Sequence, residues 1–303
     1  MFRTLKTGLR IWRRRGAAWP GIMAARVAAN ALLRLPRGLM VEPTQNCTGG
    51  CTGCPPPEEP EDLSPELLAR WLDHRPTPPV TIHFSGKHSD PLAAPHLREL
   101  TETARRNGSM VSISTIGLGF SHGMEKLPVD RWIFSIPAAT GEGWKALRGA
   151  DRLEEALAAV RSAASGNAPM VELVLTVWRQ SAGDPGKLPG VAAAAGAHGY
   201  KAVFGNYDPE GRHFGRVGNL ALDSPECPYR LGPDGNPELK VKPRGCPLAG
   251  CLFLDASGTL RPCPFAGDDA PRVTEPSREA WRRAASWTGF KRNRAFPVCR
   301  YCP

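Results

Sequence analysis

Apolar runs and amphipathic stretches alternate six times between residues 38 and 205 of this chain. Strands are predicted over residues 38–43, 80–85, 110–115, 132–136, 171–178 and 201–205. The first and fifth are continuous apolar runs, the pattern of parallel strands covered on both faces. Ser64-Pro65-Glu66 supplies an N-cap and a first-turn proline for a helix through Leu67, Leu68 and Trp71. Leu97, Leu100 and Ala104 mark a second helix, over residues 95–107, which stops at Gly108. Residues 152–165 and 187–198 are predicted helices, with a short one near 122–127. Six strand–helix alternations predict an α/β fold with a parallel sheet, curled or open. In such sheets ligands gather at the carboxyl ends of the strands.

Beyond Gly205 the pattern changes. Residues 206–245 are rich in proline, glycine and charge and read as a linker. Residues 246–303 suggest a hairpin, 251–255 against 260–262 turning at Ser257-Gly258, and then a helix over 278–287. No stretch approaches the roughly 20 apolar residues of a membrane span.

Charge alters the picture at one end only. The net charge is +10. Residues 1–40 carry nine basic side chains (Arg3, Lys6, Arg10, Arg13, Arg14, Arg15, Arg26, Arg34, Arg37) and no acidic one. The remaining body is therefore nearly neutral, which argues against a nucleic-acid groove across it. Phe2, Leu5, Leu9 and Trp12 fall at helical spacing among these charges. Two readings stand for residues 1–37: an interfacial helix touching anionic lipid, or a helix packed on the domain with a solvated basic face. The second is the commoner arrangement. Ala29-Asn30-Ala31 looks like a signal-peptide cleavage site, but Arg26 interrupts the apolar core such a peptide needs.

Cysteine is where the chemistry concentrates. The nine cysteines (47, 51, 54, 227, 246, 251, 263, 299, 302) cluster at two places, with spacings that suit metal ligation better than a disulfide framework. Zinc is the competing ligand on spacing alone. The first group is one donor short for it, and the nearest downstream candidate is His74. The second group leaves zinc and iron–sulfur open. No G-x-S-x-G, P-loop or HExxH motif is present, which weakens hydrolase and NTPase readings.

Cys47-x₃-Cys51-x₂-Cys54, on the loop after the first predicted strand, resembles the signature of the radical S-adenosylmethionine (SAM) superfamily. The resemblance implies three thiolates on three irons of a 4Fe–4S cluster, the fourth iron being left for the amino and carboxylate groups of SAM. One electron from the cluster then splits a carbon–sulfur bond and gives a 5′-deoxyadenosyl radical. "LMVEPTQNC" resembles the family's approach to that motif, and "HFSGKHSDPL" its Gly-Glu-Pro motif, whose carbonyls receive the SAM amino group. That likeness implies Ser89, Asp90 and Pro91 as SAM-binding. "VSISTIG" and "IFSIPAATGEGWKALRG" resemble the third and fourth strands. They imply Thr115 and Ser135 near the ribose or carboxylate, and Arg179, at the end of strand five, is a further candidate. The sequence departs from the family pattern at Gly53, where a bulky residue is usual, and at Ser89, Asp90 and Ile136-Pro137.

"CPLAGCLFLDASGTLRPC", read as Cys246-x₁₁-Gly258-x₄-Cys263 with Cys299-x₂-Cys302 at the terminus, resembles the Twitch or SPASM extension of some radical SAM enzymes. It implies an auxiliary 4Fe–4S cluster on Cys246, Cys263, Cys299 and Cys302. Cys251 stands as an alternative to Cys246; otherwise Cys227 and Cys251 are spare thiols.

The expectation is thus a partial (β/α)₆ TIM-like barrel over residues 38–205 with a small cluster-binding unit over 246–303. The family implies a cytoplasmic enzyme fed by a flavodoxin- or ferredoxin-type electron donor, with peripheral membrane contact left open for residues 1–37. A fully ligated auxiliary cluster implies oxidation of the substrate radical. The short N-terminal segment favours a small-molecule substrate, lipid-like if residues 1–37 meet a membrane; the alternative is a peptide maturase. A non-catalytic zinc or iron–sulfur module is the rival from another class. His83, alternating with Ile82 and Phe84, is read as facing the barrel interior, as a hydrogen-bonded core histidine or against substrate; Lys87 and His88 flank the expected SAM amino-group site, and Tyr207, Arg212 and His213 follow strand six at the mouth.

Overall fold

The structure is a computed structural model that describes residues 10–12, 14–50, 58–87, 89–206, 217–241, 243–246, 248–266, 270–294, 299 and 302. Helix α1 (Trp19–Leu32) leads into β1 (Gly38–Val41), α2 (Pro65–Asp73), β2 (Thr81–Phe84), α3 (Leu97–Arg106) and β3 (Met110–Thr115). Then come β4 (Arg131–Ile136), α4 (Gly141–Arg148), α5 (Leu153–Ser165), β5 (Met170–Val177), α6 (Leu188–Ala194) and β6 (Gly199–Phe204). The C-terminal part adds β7 (Tyr229–Leu231), β8 (Pro237–Leu239), β9 (Cys251–Leu254), β10 (Leu260–Arg261) and α7 (Arg278–Arg292).

Eight strands form one sheet in the order β10-β9-β1-β2-β3-β4-β5-β6. Every pairing in it is parallel except β9 with β10. Burial alternates along the strands. Ile82 and Phe84, Val111 and Ile113, Trp132, Phe134 and Ile136 are buried with Leu68 and Trp71 of α2, Leu100 of α3 and Val160 of α5. The opposite face carries His83, Ser114, Ile133, Ser135, Glu172 and Thr176, all half-buried. Helices therefore cover one face, while the other is a largely polar interior. Glu172 and Thr176 break what reads in sequence as a continuous apolar fifth strand.

The sheet is curled. β2 and β6 lie four strands apart, a separation of about 19 Å in a flat sheet. Yet the charge of Lys201 on β6 acts on His83 of β2. Curling closes that distance and makes the polar face the inside of a partial barrel.

Two arginines of the basic N-terminal region, Arg15 and Arg26, are used on this barrel. Arg15 grips the buried Asp130 carboxylate from Nε (2.9 Å) and Nη2 (2.5 Å) and donates to the Ser109 carbonyl at 2.9 Å. Arg26 donates to the Asn107 carbonyl, and Asn30 to that of Pro78. These acceptors precede β4, β3 and β2, so residues 15–30 lie across the amino ends of the strands. Phe2, Leu5 and Leu9 lie outside the described residues. No described helix is long and apolar enough to cross a membrane.

The C-terminal hairpin extends the barrel sheet. β9 runs parallel to β1 with Gly38 beside Cys251 and Val41 beside Leu254. Its turn is built by Asp255, whose Oδ1 accepts from Thr259 N (2.8 Å) and Ser257 Oγ (2.6 Å) while Oδ2 accepts from Arg261 Nε (2.7 Å). Gly258 sits at φ +80°, and a Cβ there would meet a Leu67 methyl at 2.3 Å, so any other residue would be strained and would have to displace Leu67. Its carbonyl accepts from Trp71 Nε1 at 3.0 Å, and the Trp71 carbonyl accepts from Trp281 Nε1 at 2.9 Å. The stretch read as a linker is not featureless. β7 and β8 pair antiparallel there, and Leu220, Cys227 and Tyr229 pack with Ala138, Leu147 and Trp178.

Candidate functional site

The loop that follows β1 crosses the carboxyl mouth of the barrel. The Cys47 side chain is exposed, and its Sγ accepts from Gly49 N at 3.2 Å. Both neighbours of Cys47 are pinned to other strand ends. The Asn46 carbonyl accepts from Asp90 N at 3.1 Å, beyond β2. Thr48 donates its hydroxyl to the Leu118 carbonyl at 3.0 Å, beyond β3, and its own carbonyl accepts from Arg152 at the start of α5. Cys51, Gly53 and Cys54 lie outside the described residues, as do His88, Tyr207, Arg212 and His213.

The loop after β2 is shaped by two buried carboxylates. Glu42, just past β1, accepts from Lys87 N at 2.7 Å and from Ser89 Oγ at 3.2 Å. Asp90 accepts from Leu92 N (2.9 Å), Thr115 Oγ1 (2.7 Å) and Ile116 N (2.7 Å). Burial pushes the Asp90 carboxyl up from the ordinary range, opposed by those hydrogen bonds and by the Arg148 charge. Gly86 folds so tightly onto Ser89 that a Cβ would meet its Oγ at 2.1 Å. The side chains of Ser89, Asp90 and Thr115 thus hold the loop, and Pro91 starts a buried single turn over Pro91–Ala93. What this loop offers to a ligand is main chain. Among the described residues nothing donates to the carbonyls of Gly86 and Ser89. Glu42 is the residue that sequence reasoning missed, since only the folded loop shows that its charge is buried.

Deeper in the barrel Ser135 Oγ lies 3.2 Å from Thr176 Oγ1. Arg179 begins a short turn beyond β5 and is exposed at the mouth. His83 Nδ1 lies 2.7 Å from Ser112 Oγ, and Arg131 pairs with Glu172. Burial, then the charges of Arg131 and Lys201, lower the His83 pKa to about 4. The ring is therefore neutral near pH 7 and acts as a hydrogen-bonding wall. A histidine with a depressed pKa contributes stability that is complete above about pH 6.5 and is lost on acidification towards pH 4. We expect the wild-type protein to lose up to about 1.4 kcal/mol per pH unit across that window, relative to His83→Asn. Chemical unfolding at pH 7, 6 and 5 measures it, and parallel slopes for the two proteins would refute it.

At the amino end of β1 a second constellation assembles. Cys246, Cys263 and Cys299 all act electrostatically on Cys302, and Cys246 on both Cys251 and Cys263. Burial is the largest effect pushing the Cys251, Cys263 and Cys302 thiols up. Cys251 sits on β9 with its sulfur against Gly38, where a Cβ would meet it at 2.6 Å. Cys227 is buried elsewhere, beside Tyr229. Among the described residues no three His, Cys, Asp or Glu side chains converge on a single metal ion. Thiolates around a 4Fe–4S cube stand further apart, each on its own iron. The donor set fits such a cluster: Cys246, Cys263, Cys251 and Cys299 all act on the buried Lys291.

No family model matches the chain. In sequence it is 31% identical over 157 residues to PqqA peptide cyclase of Streptomyces rochei, a match covering 48% of this chain and 43% of that protein. The match therefore reaches less than half of that relative's length. In structure it is similar to SuiB of Streptococcus suis bound to S-adenosylmethionine, with a TM-score of 0.61 and 11% identity over 86% of this chain and 69% of that one. SuiB bound to the precursor peptide SuiA gives 0.58 and 10% over 86% and 68%. Native anSMEcpe with bound AdoMet and Cp18Cys peptide gives 0.58 and 13% over 87% and 83%. At such identities these likenesses speak for the fold, a TIM-like barrel with the α/β architecture described above. That fold, the place of Cys47 on the loop beyond its first strand and the sequence likeness to the cyclase together support the resemblance to radical SAM enzymes read from the sequence.

Proposed function

We propose that this chain is a radical SAM enzyme that modifies a peptide. Cys47, Cys51 and Cys54 would hold the SAM-binding 4Fe–4S cluster, and Cys246, Cys263, Cys299 and Cys302 an auxiliary one. When bound, the first cluster supplies the electron that splits SAM into methionine and a 5′-deoxyadenosyl radical. The observation that carries the reading is the position of Cys47. Its loop is tied to the ends of β2 and β3 at the mouth of the curled sheet, beside a rigid turn that presents main-chain carbonyls. Glu42, Asp90 and Thr115 keep that turn in shape, and Ser135, Thr176 and the neutral His83 line the interior where a substrate would lie.

A peptide substrate is favoured over the small molecule expected from sequence. PqqA peptide cyclase, SuiB with its precursor peptide and anSMEcpe with its peptide share the likeness to this chain. Electrons would arrive from a flavodoxin- or ferredoxin-type donor.

The test is anaerobic reconstitution followed by SAM, dithionite and synthetic peptides for short reading frames beside the gene. About eight irons per chain, 5′-deoxyadenosine and a peptide that has lost a pair of hydrogens are expected. Absence of 5′-deoxyadenosine would overturn the enzymatic reading. Its formation with every peptide unchanged would return the substrate to a small molecule.

A further inference from the structure

Lys291 lies in the last turn of α7 and is 1% exposed. Its ammonium donates to the carbonyls of Leu248 and Cys251, which lie on the segment between Cys246 and β9. Burial lowers its pKa, and Cys246, Cys263, Cys251 and Cys299 oppose that shift. A buried ammonium is costly unless an anion compensates it, and Cys246, Cys263, Cys251 and Cys299 act on this one. Sulfur is the anionic chemistry within reach.

We propose that Lys291 is a fixed counter-charge for the auxiliary cluster, raising its reduction potential so that it accepts an electron readily. The inference rests on the reading of Cys246, Cys263, Cys299 and Cys302 as cluster ligands. A cluster with four thiolates is net negative, and each added electron makes it more so. A positive charge held nearby in a low-dielectric interior favours the reduced state. The two carbonyls fix the ammonium, so the charge cannot swing out to solvent. A merely structural lysine would serve those carbonyls as hydrogen-bond donor, and a neutral amide would replace it.

The experiment uses the full chain with Cys47, Cys51 and Cys54 changed to alanine, so that only the auxiliary cluster is observed. Lys291→Arg, Lys291→Gln and Lys291→Met are made in that background and titrated by EPR-monitored reduction. Arginine should keep the midpoint potential of the parent, while glutamine and methionine should shift it to more negative values. If glutamine and methionine lose the iron while arginine keeps it, the charge is needed even to hold the cluster, which also supports the proposal. A glutamine midpoint equal to the parent's overturns it, as does an arginine variant that shifts or loses iron as the neutral ones do. A parent that holds no iron, where about four per chain are expected, would instead sink the ligand reading itself.

Discussion

Cys47→Ala is expected to reduce 5′-deoxyadenosine formation to the level seen without protein, while leaving the fold in place. The thiol is exposed, on a loop whose two anchors belong to Asn46 and Thr48. Removing a sulfur there opens no cavity, so the iron-free chain should unfold within about 0.5 kcal/mol of the wild type. Iron content should drop from about eight to about four per chain, because three protein sulfurs are the fewest that hold a cube with one corner open. Cys51→Ala and Cys54→Ala should behave alike. Iron analysis, chromatography of the nucleoside product and urea unfolding together check it. Product surviving in the Cys47→Ala protein would move the site elsewhere.

Trp281→Ala should have the opposite signature, a large loss of stability from a residue outside the Cys47 loop. Trp281 is fully buried, its ring meets Trp71 edge-on with centroids 5.6 Å apart, and the Arg75 guanidinium lies 5.0 Å over its face. Its Nε1 donates to the Trp71 carbonyl, while Trp71 donates to Gly258 in the hairpin turn. Helices α2 and α7 and the β9–β10 turn thus share one interlocked group. Truncation to alanine should cost about 3–5 kcal/mol. Trp281→Phe, which keeps a ring and loses the hydrogen bond, should cost about 1–2 kcal/mol. Urea denaturation followed by circular dichroism gives both values. A cost below 1 kcal/mol for alanine would show that the group does not hold the C-terminal region to the barrel.

Several elements were plain in the sequence because one local rule decided them. β3 is bounded by Gly108-Ser109 and Gly117 and is found at the expected residues. Ser64 caps α2 as its spacing predicts, accepting from Leu67 N at 3.1 Å. Helix α4 was hidden because it is short and opens with Gly141 and Gly143, which blur helical periodicity; its Thr140 cap appears only in three dimensions. β7 and β8 are three residues each inside a proline- and glycine-rich stretch, too short to show alternation. In the site, cysteine spacing was legible, whereas the burial of Glu42 and Lys291 was not. A charged residue gives no sign in one dimension that folding will strip it of water. The same limit applied to Asp90 and Thr115, whose side chains face each other and stabilise a loop that the family resemblance had assigned to SAM itself.

The parallel ladder between β1 and β9 has a mechanical meaning. Cys47 follows the finish of β1, and Cys251 stands opposite its start. The two sulfur-bearing segments are therefore linked through one hydrogen-bonded strand pair. In the proposed reading, the distance an electron would cover between the two clusters is set largely by how these paired strands fold.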